Sequence, residues 1–114
     1  MFKSTYGTVY YVDNMDQSVS YYKSKLGLTP SYESPEWTEF SIGGHNLCLY
    51  NKPPGETYAA NGILIMNGEG VKSLYDQMTR DGLKTYGLHE VHPGHWIFRL
   101  KDPSGNELSI YGSP

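Results

Sequence analysis

"FRLKDPSGNELSIY", residues 98–111, reads as a strand, a turn and a second strand. Phe98 and Leu100 alternate with Arg99 and Lys101, while Leu108 and Ile110 alternate with Glu107, Ser109 and Tyr111. A period of two puts the apolar set on one side of a sheet and the polar and aromatic set on the other. Asp102-Pro103-Ser104-Gly105-Asn106 lies between the two runs, and each of its residue types favours a turn.

Working upstream, "HWIFRLK" (95–101) follows a strand near 84–91, with Pro93-Gly94 as a type II turn in which Gly94 takes positive φ. "EGVKSLYDQMTRD" (69–81) places Val71, Leu74 and Met78 on one helical face, and Gly82 ends the helix. "GILIM" (62–66) is a strand. The first half keeps the same order. "TYGTVYYV" (5–12) is a strand, and 14–26 is a helix with Met15, Val19, Tyr22 and Leu26 on one face, Asn14 or Asp13 as N-cap and Gly27 after its end. Strands follow at 30–33, 36–42 and 46–50, the last two joined through Gly43-Gly44 as a hairpin. "PPG" at 53–55, extended by "ETYAAN", reads as a linker.

The chain is therefore βαβββ twice, an α+β fold in which two tandem modules form a curved mixed sheet around a cleft. We expect one domain over 1–114, with module one at 4–51, a linker at 52–60 and module two at 61–112. Each helix covers one sheet face and leaves the other free to line a site.

Composition narrows the function. A net charge of −3 with scattered Lys and Arg lacks the basic stripe that nucleic acid demands. No apolar run approaches a membrane span, and a single cysteine, Cys48, excludes an internal disulfide framework and fits a reducing, cytoplasmic setting. Eleven Tyr and two Trp exceed what two small cores need, which points to an aromatic-lined binding surface.

"VDNMDQSVSYYKSKLGL" (12–28) and "FRLKDPSGNELSIY", with the repeat in register, resemble the vicinal oxygen chelate superfamily. That superfamily includes glyoxalase I, extradiol dioxygenases, fosfomycin-resistance enzymes and bleomycin-resistance proteins. The resemblance covers essentially the whole chain and implies the paired βαβββ plan. It also implies a homodimer, since superfamily members often pair. Its enzymes hold a divalent metal with His, Glu or Gln, His and Glu from the first and last strand of each half. Those positions fall here on Gly7, on Cys48, on Gly62 (or Ile63 if the register slips by one), and on Ser109. Gly and Ile supply no side-chain donor, Ser is a poor ligand, and a lone thiolate holds no metal. We expect no cofactor, and the bleomycin-resistance-like branch is the one left closest.

Strand parity selects the ligand-binding candidates: Tyr11, Trp37, Cys48, Tyr50, Arg99, Ser109 and Tyr111. Each has a plainer account, with Tyr11 and Tyr111 as half-buried strand residues, Arg99 as a solvated charge and Cys48 as a small buried hydrophobe. Glu107 is the one carboxylate set deep on that face, a candidate general base or simply a partner for Arg99. "HEVHPGHW" (89–96) holds three histidines. By parity His89 and His92 point to opposite faces and cannot share a metal unless a bulge intervenes, while His92 and His95 flank the turn and form a two-ligand candidate metal pair that lacks a third donor.

The expectation is a metal-independent protein binding a small planar or aromatic organic ligand, with sequestration as one use. The alternative is a lyase or isomerase using a relocated metal or a Glu acid/base.

Overall fold

Both halves fold into one plan, a four-stranded sheet with a helix laid on one side. The computed structural model describes residues 1, 3, 5–55 and 62–114, in two units, Met1–Ala60 and Asn61–Pro114. Part of the expected linker, 56–60, lies outside the described residues.

The first unit runs β1 (Gly7–Val12), α1 (Met15–Ser20), a π-turn (Tyr21–Lys25), β2 (Pro30–Glu33), β3 (Trp37–Ile42) and β4 (His45–Asn51). Its strand order is β1-β4-β3-β2, with β1 parallel to β4 and the others antiparallel. The helix is the crossover that a parallel pair requires. Asn14 is the N-cap, its side chain accepting from the Gln17 amide at 3.0 Å, and Gly27 takes φ 70° beyond the end.

The helix expected over 14–26 is not α throughout. The Leu26 amide reaches back five residues to the Tyr21 carbonyl at 3.2 Å, which widens the last turn. Tyr22, at the start of that turn, is fully buried and packs on Phe40 with ring centroids 5.7 Å apart. Tyr10, Val12, Met15, Leu47 and Leu49 complete this core. Each large apolar side chain so buried contributes roughly 1.5–3 kcal/mol.

The second unit runs β5 (Ile63–Gly68), α2 (Val71–Arg80), β6 (Lys84–His92), β7 (His95–Lys101) and β8 (Glu107–Gly112), in the order β5-β8-β7-β6. Phe98, Leu100, Leu108 and Ile110 form the buried side with Val71, and Tyr75 of α2 meets Phe98 edge-on at 5.3 Å. Trp96 shares this side, with the Lys72 ammonium 4.0 Å from its ring centre. The turn before β8 is held by Asp102, which is buried. Its Oδ1 accepts from the Ser104 and Asn106 amides at 2.9 and 2.8 Å, and its Oδ2 accepts from the Asn106 side chain at 3.0 Å. Among the described residues no helix is long and apolar enough to cross a membrane.

Candidate functional site

Each sheet leaves one side without a helix, and strand pairing fixes which residues stand on it. In the first unit Tyr11, Tyr50 and Trp37 are register partners across β1, β4 and β3. Tyr11 and Tyr50 meet edge-on at 5.9 Å, and Trp37 leans on Tyr50 at 6.1 Å. All three are half-buried, as expected of side chains on a face that is solvated and aromatic. The next row is Val9, Cys48 and Glu39, with Tyr32 opposite Glu39 on the edge strand.

Cys48 lies on this face by register yet is fully covered. Burial pushes its thiol up, and the Glu39 carboxylate beside it adds to the shift. Glu39 is itself fixed: the Tyr6 hydroxyl and the Trp37 indole nitrogen both donate to its Oε1, the latter at 2.9 Å. These two hydrogen bonds, Tyr6 first, hold the carboxyl below its ordinary range, and the same bond raises the Tyr6 phenol.

Tyr6 is not among the candidates because parity in the expected strand 5–12 gives it the side of the core; β1 begins only at Gly7, so Tyr6 lies before the strand. The Asn46 side chain, donating to the Tyr6 carbonyl at 3.0 Å, anchors the chain where the phenol reaches Glu39. No local pattern in the sequence announces that link across β4.

In the second unit Ser109 stands between Ile65 and Arg99, with Tyr86 beyond Arg99. Glu107 stands between Ile63 and Lys101, and Tyr111 between Asn67 and Ile97. Arg99, Ser109, Glu107 and Tyr111 are therefore neighbours on one face. Ser109 is almost fully buried beneath that face, and the Arg99 guanidinium lies 3.7 Å from the Glu107 carboxylate. Both partners are partly solvated, so the pair adds well under about 1 kcal/mol. Tyr86, also absent from the candidates, has its phenol raised first by burial and then by Glu107.

The histidine hairpin corrects one expectation. β6 carries register shifts between Tyr86 and His89 and again between Glu90 and His92. His89 consequently pairs with Ile97 and His92 with His95, which brings His89 and His92 to the same side rather than opposite sides. Gly87, at φ 73°, sits in the first irregularity. Gly94 has φ 80°, the positive value its turn requires. The His92 and His95 rings lie 4.5 Å apart, tilted at 39°, His95 lies flat on Tyr111 at 5.5 Å, and His92 Nε2 hydrogen-bonds the Tyr111 hydroxyl at 2.9 Å.

The family's metal does not fit the residues at its positions. Gly7 pairs with Asn46, two residues before Cys48, and the equivalent relation before Ser109 pairs Ile63 with Glu107. The third position, on the first strand of the second half, is therefore Ile63 rather than Gly62. A Cβ at Gly7 would lie 2.2 Å from the Asn46 carbonyl oxygen, so no side chain fits there as the strands stand. Gly7, Cys48, Ile63 and Ser109 together offer one thiol and one hydroxyl, and both are buried. Among the described residues no group of three or more His, Cys, Asp and Glu side chains is arranged to hold a metal ion.

The profile of the Glyoxalase/Bleomycin resistance protein/Dioxygenase superfamily matches residues 7–110. Several solved structures share the fold. A lactoylglutathione lyase from Agrobacterium tumefaciens is 17% identical with a TM-score of 0.74, over 95% of this chain and 92% of that one. A glyoxalase family protein from Enterococcus faecalis is 17% identical with a TM-score of 0.75, over 96% and 98%. A glyoxalase/bleomycin resistance protein/dioxygenase from Alicyclobacillus acidocaldarius is 20% identical with a TM-score of 0.73, over 96% and 91%. At such identities the likeness is one of fold. No curated protein sequence matches the chain.

Proposed function

We infer function from one premise: this chain belongs to the Glyoxalase/Bleomycin resistance protein/Dioxygenase superfamily. Within it, we propose a metal-independent protein that binds a small planar or aromatic organic molecule, with sequestration of a toxic compound as one use. The observation that carries this reading is the Tyr11–Tyr50–Trp37 row on the helix-free side of the first sheet. Each favourable ring contact is worth about 0.5–1.5 kcal/mol beyond burial, so a flat ligand resting on two of them gains useful affinity without chemistry. The donor set at Gly7, Cys48, Ile63 and Ser109 supports a binder over a metalloenzyme. A homodimer in the cytoplasm belongs to the same proposal, and sedimentation equilibrium tests its dimeric part.

The two tryptophans make the test direct. Trp37 stands on the proposed face and Trp96 on the helix-covered side of the other unit, so Trp96→Phe leaves Trp37 as sole reporter. Titrating that variant with a broad panel of planar aromatic compounds should give saturable quenching for at least one, abolished by Tyr50→Ala. Silence across the panel defeats the proposal.

The alternative is a lyase or isomerase with a relocated divalent metal. The close His92–His95 pair gives it some support. About one tightly held transition metal per chain, found in protein purified without a histidine tag, would favour that alternative over ours.

A further inference from the structure

The first unit's open face has an electrostatic character that narrows the ligand class. Glu39 is presented in a fixed orientation, because two donors from different segments, Tyr6 and Trp37, converge on the same oxygen. Lys23–Glu33, Lys52–Asp13 and Arg99–Glu107 are ion pairs among the described residues, and Glu39 belongs to none of them. Glu107 on the other sheet is countered by an arginine. Glu39 instead has aromatic rings around it: Trp37 and Tyr6 bonded to it, Tyr32 opposite it in register, and Tyr50 and Tyr11 in the adjoining row. An aromatic face presents negative charge through its quadrupole, so rings and carboxylate act in the same sense.

An anionic or electron-rich ligand would be repelled by both elements, and a neutral ring would gain only the stacking. A cation gains from both. We propose that this face recognises an organic cation, an ammonium or a delocalised aromatic cation, with Glu39 as counter-charge and Trp37, Tyr50 and Tyr11 as walls. This rests on the binding function inferred above and names the chemical class of its ligand. The carboxylate's free edge takes the charge while its other oxygen stays tied to Tyr6 and Trp37, so little ordering of Glu39 is left to be done on binding.

The experiment compares three probes sharing one benzyl or phenyl ring: benzyltrimethylammonium, benzyl alcohol and benzoate. Trp37 fluorescence is read in the Trp96→Phe protein at constant ionic strength. The cation should bind at least tenfold tighter than benzyl alcohol, and benzoate should not saturate. Glu39→Gln keeps an amide oxygen for Tyr6 and Trp37 to donate to. It should reduce the cation's advantage over benzyl alcohol to within threefold. Near-UV circular dichroism checks that its fold is retained. If that variant does not fold, raising the ionic strength on the Glu39 protein should weaken the cation and leave the alcohol unchanged.

Equal affinity for cation and alcohol, saturable benzoate binding, or a cation preference that survives Glu39→Gln in folded protein each overturns the proposal. In those cases ring binding that depends on Tyr50 would leave the underlying binding function standing. If no probe binds and the wider aromatic panel is also silent, both readings fall together.

Discussion

A methyl group placed on Gly7 would sit 2.2 Å from the Asn46 carbonyl oxygen and 2.8 Å from the Asn46 Cβ. Ordinary carbon–oxygen contacts between neighbouring strands close to about 3.3 Å, so the first clash demands a shift of about 1 Å. The obstructing atom is backbone and cannot rotate aside. β1 is also pinned on both sides of the site, by its parallel ladder from Gly7 to Val12 and by the Asn46 amide holding the Tyr6 carbonyl. Overpacking of this kind costs about 1–3 kcal/mol, offset by roughly 0.4–1 kcal/mol from a less flexible unfolded chain. Gly7→Ala should therefore lose about 1–2 kcal/mol. With a urea slope of about 2 kcal/mol per molar, the midpoint should fall by roughly 0.5–1 M, read by far-ultraviolet circular dichroism. Gly7→His, which restores the family's ligand type, meets the same clash and should be at least as unstable. Zinc or nickel should not raise its midpoint as a bound ion would. A Gly7→Ala protein as stable as the parent, with unchanged slope, would refute the claim that strand proximity dictates glycine here.

Two further outcomes follow from buried groups. Asp102→Ala removes hydrogen bonds that a buried carboxylate accepts from the Ser104 and Asn106 amides and the Asn106 side chain, and should cost about 2–4 kcal/mol by urea unfolding. A loss below 0.5 kcal/mol would contradict the role given to that turn, taking about 0.5 kcal/mol as the ordinary scatter of surface changes. Cys48 is raised by burial and by Glu39, so folding favours its neutral thiol. That contribution is fully present below the unfolded thiol's value of about 8.5 and is lost as pH rises toward the folded value. The stability difference between parent and Cys48→Ala should hence shrink above about pH 8.5. Native protein should resist a disulfide reagent that labels the denatured chain at once, and rapid native labelling would refute the buried placement.

The elements legible in the sequence were those governed by local rules. Alternation at Leu47 and Leu49, and at Phe98, Leu100, Leu108 and Ile110, gave the buried sides because a strand's period is two wherever it is regular. The "DPSGN" turn was legible because Asp102 satisfies amides only two and four residues away. Parity failed in β6, where irregularities around Gly87 and Val91 re-aim the histidines; a glycine inside a strand signals the first, but no residue type reports the second, which sets His92. The choice between Gly62 and Ile63 was closed by parallel pairing with β8, a contact that spans most of the unit. Among the site residues, Tyr11, Trp37 and Tyr50 followed from parity. The Tyr6–Glu39 bond depends on how Asn46 turns the incoming chain, which only the folded strand pair determines.

The parallel pairing of each unit's first strand with its last has a consequence for synthesis. Gly7–Val12 leaves the ribosome before Asn46–Asn51, its ladder partner among the described residues, which is about 40 residues behind it. At translation rates of about 5–20 residues per second, β1 waits on the order of 2–8 s with Val9, Tyr10 and Tyr11 uncovered. Ile63–Gly68 then repeats the delay while it waits for Glu107–Gly112. The hairpins β3–β4 and β6–β7 close first because their loops are short, so each nascent unit passes through a stage in which a finished hairpin offers an unfilled sheet edge.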